Sequence, residues 1–319
     1  MTLERVEIGR WQFGVGASKP LNPQVVEQLE IFLNKKWLHV YREEMRGKAQ
    51  KWLGMEKFAI PSPVVRADLA PLETKDLTLT SDMIVRNLYE IEVRPGGLGI
   101  LLLLNPSALP ALKDALEAVG CVGFVNFQSN IEDDEIAARI LGLQFYRDQL
   151  PLFFSYEGEA WWIRTNLKEG EVEELEKYSV VPLRLDGYKM DLVRLGLAKI
   201  FEQKEVIDWE RPFVLKPLQG SRCEGVEVYV PPKEARKIKG ISTRQRIIRR
   251  LEAGGTFILQ DYIPPLMEEY NGVRGFTIWR VFFGWSGKYE YLGGVWNWRP
   301  NVRVHGASDC ALGPLVLAP

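Results

Sequence analysis

The sequence predicts an α+β protein with a Rossmann-like α/β portion, and three observations point there. Short β-rich runs alternate with segments of helical period; residues 98 to 127 read as strand, helix and strand in one crossover; and three further strand-type runs follow a basic helical stretch near the end. At 319 residues and 46% hydrophobic, the chain can bury roughly 75% of the surface it exposes when unfolded, enough for a large core in two or three lobes.

Asn22-Pro23 opens a helix that runs to about Lys36. Asparagine caps a helix well, proline fits the first turn, and Val26, Leu29, Phe32 and Leu33 line one face. The segments around Arg66-Ala67-Asp68 and Tyr89 to Val93 read as strands. Leu98 to Leu104 reads as a short buried strand, Ser107 to Val119 has helical spacing, and Cys121 to Phe127 is β-rich again, which completes the crossover. A helix from Asp133 to Leu143 starts in acids suited to a helix N-terminus and ends around Gly142. Glu159 to Thr165 then reads as a strand, Tyr188 to Phe201 as a helix, and Pro212 to Pro217 as a strand with a hairpin-like return over Gly225 to Val230. Strands at Thr256 to Ile263, Gly275 to Phe283 and Tyr289 to Trp298 come last.

Composition excludes several classes. Lys+Arg 41 against Asp+Glu 42 leaves a net charge of -1, which argues against a protein held on nucleic acid mainly by phosphate contacts. The N-terminus lacks an apolar signal core, and Leu98 to Leu104 is too short to span a bilayer, so a soluble, cytoplasmic protein without membrane contact is expected. Cys121, Cys223 and Cys310 are odd in number and widely spaced, which suits reduced thiols better than disulfides or zinc. Two histidines, His39 and His305, offer little for histidine-based metal or triad chemistry.

Two charged, glycine-flanked segments carry the chemistry. The first joins Arg66-Ala67-Asp68 to Tyr89 through Gly97 and offers three carboxylates, Asp68, Glu90 and Glu92, with Arg66 and Arg94. The period of two puts Glu90 and Glu92 on one face of a strand, with Asp68 available from a neighbour. Such oxygens are hard ligands for a magnesium ion that also keeps waters and triphosphate oxygens. In the second, Lys216 closes an apolar strand and is followed by Gln219-Gly220-Ser221 and Gly225, where backbone N–H groups can approach phosphate without Cβ obstruction. It matches neither Walker A nor GxGxxG, and an ordinary hairpin with an exposed lysine has the same composition. Further on, the apolar strand from Phe257 ends in Gln260, Asp261, Tyr262 and Ile263, suited to passing backbone hydrogen bonds to a purine edge, or simply a strand end before Pro264-Pro265.

This order of lysine strand, glycine-bearing hairpin and strand ending Gln-Asp-Tyr-Ile-Pro resembles the ATP-grasp superfamily. The resemblance implies ATP between two α+β lobes, with Lys216 on the phosphates, Gly220, Ser221 and Gly225 in the loop that covers them, and Gln260, Asp261, Tyr262 and Ile263 at adenine. Most ATP-grasp chains end in a strand carrying Glu-x-Asn for magnesium, whereas this one has Tyr289 to Asn301 after Arg280. Its acids stand early instead. Arg66-x-Asp68 followed by Glu90-x-Glu92 resembles the Arg-x-Asp and Glu-x-Asn pairs of the glutathionylspermidine synthase family, whose ATP-grasp fold is circularly permuted. The sequence departs from that pattern in having Glu92 at the Asn position and a longer gap between Asp68 and Glu90. The resemblance spans most of residues 60 to 319 through short motifs. It implies three regions: 1–97 with the magnesium-binding strands, 98–185 a Rossmann-like, pre-ATP-grasp subdomain, and 186–319 the ATP-grasp lobes.

The implied activity is an ADP-forming carboxylate–amine ligase using ATP and Mg2+, with a small-molecule or peptide carboxylate and an amine as partners. Transfer of a phosphoryl group to a carboxylate spreads charge that guanidinium groups and magnesium can stabilise, and an amine then attacks the acylphosphate. Arg66, Arg280 and Arg299 are the candidates for the reacting group, each equally suited to a salt bridge. No protein nucleophile is required, in keeping with the lack of a Ser-His or Cys-His pair. Two other classes stay open. A non-catalytic nucleotide-binding or assembly protein would lack metal-dependent ATP turnover. A nucleic-acid binder would use Lys233 to Arg250, eight basic residues against Glu234, but that stretch lacks interleaved aromatics and suits a solvated helix better. Trp161-Trp162 and Trp296-Asn297-Trp298 suit a cleft or a core, Asp133-Asp134-Glu135 a cationic amine or a helix start, and His305 to Asp309 a loop near an ATP-grasp site or a cap.

Overall fold

The computed structural model describes residues 4–8, 11–43, 62–72, 79–93, 95–126, 131–147, 160–164, 189–202, 207–218, 223, 225–235, 238–304 and 309–319. In chain order the elements are β1 (Glu4–Ile8), β2 (Trp11–Val15), β3 (Lys19–Leu21), α1 (Pro23–Phe32), β4 (Val64–Leu69), α2 (Ser81–Arg86), β5 (Leu88–Val93), α3 (Leu98–Leu104), α4 (Leu109–Glu117), β6 (Cys121–Asn126), α5 (Ile131–Leu141), β7 (Gln144–Arg147) and β8 (Ala160–Arg164). They continue with α6 (Met190–Arg194), β9 (Lys199–Phe201), β10 (Phe213–Pro217), β11 (Glu227–Tyr229), α7 (Pro232–Ala235), α8 (Arg244–Glu252), β12 (Phe257–Asp261), β13 (Leu266–Tyr270), β14 (Val273–Trp285), β15 (Tyr289–Arg299) and β16 (Ala311–Leu317).

Among the described residues these strands form three sheets. The largest follows the order β1-β2-β16-β15-β14-β4-β5, with β13 added beside β14 and β3 beside β16, so it draws strands from both ends of the chain. The second, β11-β10-β12-β9, is antiparallel throughout. The third, β7-β6-β8, is parallel. The architecture is thus mixed α and β, and no helix among the described residues is long and apolar enough to cross a membrane.

The period of two sorts the large sheet into unlike faces. On one, Trp279, Val281 and Phe283 of β14 join Val65, Ala67 and Leu69 of β4 under the apolar stripe of α1, Val25, Val26, Leu29 and Phe32. Each large side chain so buried contributes about 1.5–3 kcal/mol. Asn22 caps α1 as its sequence predicts, accepting from Gln24 N at 2.8 Å. On the other face, Phe282, Val295 and Leu312 pack beneath α3, α4 and α5, while the strip next to them carries charge.

Two elements differ from the sequence reading. Leu98–Leu104 is helix α3, not a strand: Leu98, Leu101 and Leu102 are buried at helical spacing while Leu103 is 42% exposed. The helix start is fixed by Gly97, whose φ of 93° favours glycine, and by Asp133, whose carboxylate accepts from Gly97 N at 2.7 Å and Ile100 N at 3.0 Å. The parallel crossover therefore lies one step later, as β6, α5 and β7. Likewise Tyr188 to Phe201 is not one helix, since α6 is five residues long and Gly196, at φ 73°, turns the chain into β9.

Candidate functional site

The charged strip follows from strand register. Asp68 on β4 lies opposite Glu90 on β5 and opposite Arg280 on β14, and Arg66 lies opposite Glu92 and Phe282. Side chains at paired positions share a face, so Glu90, Glu92, Asp68, Arg66 and Arg280 form one patch. The oxygens of Asp68, Glu90 and Glu92 lie within 4.8 Å of one another. Arg66 is buried against them: Nε meets Asp68 Oδ1 at 2.6 Å, one terminal nitrogen meets Asp68 Oδ2 at 2.9 Å and pairs with Glu92, and the other donates to Gly96 O at 2.6 Å. Arg280 Nε stands 3.6 Å from Asp68 Oδ2. Burial alone would lower the Arg66 pKa, but Asp68 and Glu92 outweigh it and hold it above its ordinary value.

The second sheet seats its lysine on this patch. Lys216, buried at the end of β10, donates from Nζ to the carbonyl of Tyr89 at 3.1 Å, and Gln260 on β12 donates to the carbonyl of Leu88 at 3.2 Å. Both bonds fall at the irregularity where Leu69 pairs with Leu88 and Tyr89 is left between ladder positions. Val228 of the second sheet and Val230 just after it pack with Phe276 and Ile278 of the large one, with Tyr89 and Tyr262 at the margin. Burial pushes the Tyr262 pKa to about 12, and it raises that of Tyr89 with help from Tyr262 and Asp68. Along β12 the β9 ladder covers Phe257 to Leu259 only, so it does not reach Gln260, Asp261, Tyr262 or Ile263.

The glycine turn is described at two points. Cys223 has φ 57°, unusual outside glycine, and its thiol is pushed up to about 11 by burial and by Glu90, against Lys216 and Arg280. Gly225 has φ 68°, and a Cβ there would collide with the Arg250 guanidinium. Gly220 and Ser221, like Arg94 and residues 305–308, lie outside the described residues.

A second ion cluster stands beside this turn. Glu227, 3% exposed, accepts from Ser242, from Arg246 Nε at 3.0 Å and from Arg303 at 3.1 Å. Burial lowers the Arg303 pKa; Glu227 opposes that effect and Arg246 adds to it. Arg299 is engaged elsewhere, with Asp309 at 2.7 Å and the carbonyl of Arg303 at 3.0 Å. The basic stretch is partly consumed within the protein, since Arg244 lies over the Trp209 ring at 4.5 Å, Arg246 pairs with Glu227, and Arg250 lies over Phe257 at 5.9 Å.

The structure thus brings together Arg66, Asp68, Glu90, Glu92, Arg280 and Lys216, and it sets Arg299 in a separate pair. Asp133 serves as a helix cap. Sequence reasoning passed over Glu227 and Arg303, and it named Tyr89, Cys223 and Asn297 without giving them a role in the site. Only Asn297 carried a readable signal: between Trp296 and Trp298, which face the apolar side, the period of two turns its amide to the charged side. The donor set of Asp68, Glu90 and Glu92 fits a hard divalent cation. An ionised carboxylate has about four lone-pair directions, and Arg66 uses one on each Asp68 oxygen. Compared with models of known protein families and with curated proteins, the chain matches none.

Proposed function

We propose that the protein is an ATP-dependent carboxylate–amine ligase of the permuted ATP-grasp type. One observation carries the reading: the 3.1 Å hydrogen bond from Lys216 to the Tyr89 carbonyl, which joins the lysine strand of one sheet to the strand of the other that bears Glu90 and Glu92. A fixed cation facing three clustered carboxylates is the arrangement a magnesium polyphosphate needs, one side meeting oxyanions and the other the metal.

In this reading Asp68, Glu90 and Glu92 hold magnesium, which when bound supplies charge neutralisation on phosphate oxygens. Lys216 holds the polyphosphate beside the turn containing Gly220, Ser221 and Gly225, and the end of β12 with the residues after it, Gln260 to Ile263, meets adenine. The γ-phosphoryl passes to the substrate carboxylate, giving an acylphosphate and ADP. The amine lone pair then attacks the acyl carbon, an amide bond forms and phosphate leaves. Arg280 faces the transferred group and Arg66 fixes Asp68 and Glu92 beneath it, while Arg299, held by Asp309 and the Arg303 carbonyl, has no part in this step.

A second reading, nucleotide binding without ligation, is favoured by Arg66, which pairs with both Asp68 oxygens and leaves less negative charge for a metal. The two separate in one assay. Amino acids or short peptides supplied with polyamines or other amines are expected to raise magnesium-dependent ADP release well above the ATP-alone rate. Lys216→Ala is expected to weaken ATP binding about tenfold to a hundredfold, from the ~1.5–3 kcal/mol of a hydrogen bond to a charged group. ATP binding with no stimulation by any acid–amine pair would leave the non-catalytic reading, and no ATP binding in calorimetry would remove both.

A further inference from the structure

Among the described residues, Asn297 is the one buried amide whose polar atoms, Oδ1 and Nδ2, both lack a hydrogen-bond partner. It is 1% exposed. Register sets it opposite Ile278 and diagonal to Arg280, with about 7–8 Å between backbones, on the face that carries Asp68. Arg280 Nε is also without a hydrogen bond, because its 3.6 Å approach to Asp68 is an ion pair and no more. Two N–H groups on Asn297, one on Arg280 and one acceptor oxygen thus lie on one face of the sheet without hydrogen bonds.

Buried amides in native proteins are satisfied, and the chemistry of this set narrows what can satisfy it. An oxyanion takes the N–H groups but leaves Oδ1 bare. A ligand completes the set only if it carries an O–H or N–H next to its oxyanion. Arg280, whose side chain is 14% exposed, gives the side of approach.

We infer that Asn297 and Arg280 form the subsite for the acid substrate, and that this acid bears a hydroxyl or amino group on the carbon beside its carboxylate. The inference rests on the ligase reading for the identity of the anion. Within it, Arg280 meets the carboxylate that receives the phosphoryl group, while Asn297 donates to that carboxylate and accepts from its neighbour, discriminating against plain carboxylic acids.

The test is calorimetry on the full chain with Mg2+ and a non-hydrolysable ATP analogue, using glycolate, lactate, glycine and alanine against acetate and propionate. Wild type is expected to bind the donor-bearing acids at least tenfold tighter than the matched plain acids. Asn297→Leu should abolish that difference while the Kd of the analogue changes less than twofold. Asn297→Asp, of equal size, should lose acid binding because carboxylate then faces carboxylate. No discrimination by wild type overturns the inference, as does discrimination that survives both substitutions. A loss of analogue binding in Asn297→Leu also overturns it, since the amide would then belong to the nucleotide. If the analogue does not bind wild type while the acids are still discriminated through Asn297, the ligase reading fails and the subsite stands.

Discussion

Two clusters of carboxylates and guanidiniums, each built around a buried acid, both interact with Cys223, and they are built differently. Around Glu227, one acid is shared by two arginines and a serine, so its oxygens are amply supplied with donors. Around Asp68, among the described residues, three acids stand within reach of one another, with Arg66, Arg280 and Lys216 about them. A buried cluster with donors in excess is a clamp, because removing its acid strands the cations around it. A cluster that gathers several carboxylates holds like charges close together and gains from a further cation between them. The same residue types therefore serve cohesion at one site and, in the proposed reading, binding at the other.

The largest effect should come from the clamp. Glu227→Gln keeps the shape but leaves the Arg303 and Arg246 guanidiniums facing a neutral amide. Breaking a buried pair costs about 3–5 kcal/mol, and because the Arg246 side chain is 59% exposed the loss should fall near ~3 kcal/mol. Denaturant unfolding should show it equally with and without magnesium. A variant as stable as wild type would mean that Glu227 is no clamp and would erase the contrast.

The contrast was half legible in the sequence. Glu90-x-Glu92 is one local pattern, and a strand places every second residue on one face whatever the tertiary fold, so the acids could be put together by counting. That Asp68 faces Glu90 depends on register between two strands, and like charges placed opposite each other do not by themselves favour that pairing. Glu227 gave no such sign, because its partners stand 15, 19 and 76 residues away and only the folded chain assembles them. Leu98–Leu104 misled for a related reason. Seven apolar residues fit either period, and the choice was made by Asp133, some thirty residues on, which caps the helix. Lys216 was visible as a strand end before glycines, while its seat on the Tyr89 carbonyl follows from how two sheets meet, which no local pattern encodes.

Cys223 reports the balance between the clusters. Burial and the carboxylates raise its pKa to about 11, with Lys216 and Arg280 pulling the other way. An unfolded thiol titrates near ~8.5, so between about pH 8.5 and 11 the folded chain keeps a proton that the unfolded chain has released. Unfolding then releases a proton, and stability falls as pH rises through that window while staying flat below it. In metal-free protein with Cys121 and Cys310 replaced by serine, alkylation by iodoacetamide at pH 8 should run roughly a hundredfold slower than in the unfolded chain. Cys223→Ala should remove this part of the alkaline decline. A thiol that titrates below 8.5 would show that the cations govern the turn and that the acid-rich reading of the neighbouring patch is wrong.

The smallest stability effect, and the sharpest for function, belongs to Glu90. It faces Asp68 across the β4–β5 ladder with Glu92 on the same side, so in metal-free protein its charge adds to the repulsion within a group of three close acids. Glu90→Gln preserves the length and burial of the side chain while removing one charge. The melting temperature of the metal-free protein should therefore stay the same or rise, where Glu227→Gln lowers it. Yet magnesium-dependent ATP turnover should vanish, because an amide is a far weaker partner for a divalent cation than a carboxylate. Added magnesium should also raise the melting temperature of wild type and leave that of the variant unmoved. A clear loss of metal-free stability with turnover intact would make Glu90 another clamp residue, and the two clusters would then differ in charge count but not in purpose.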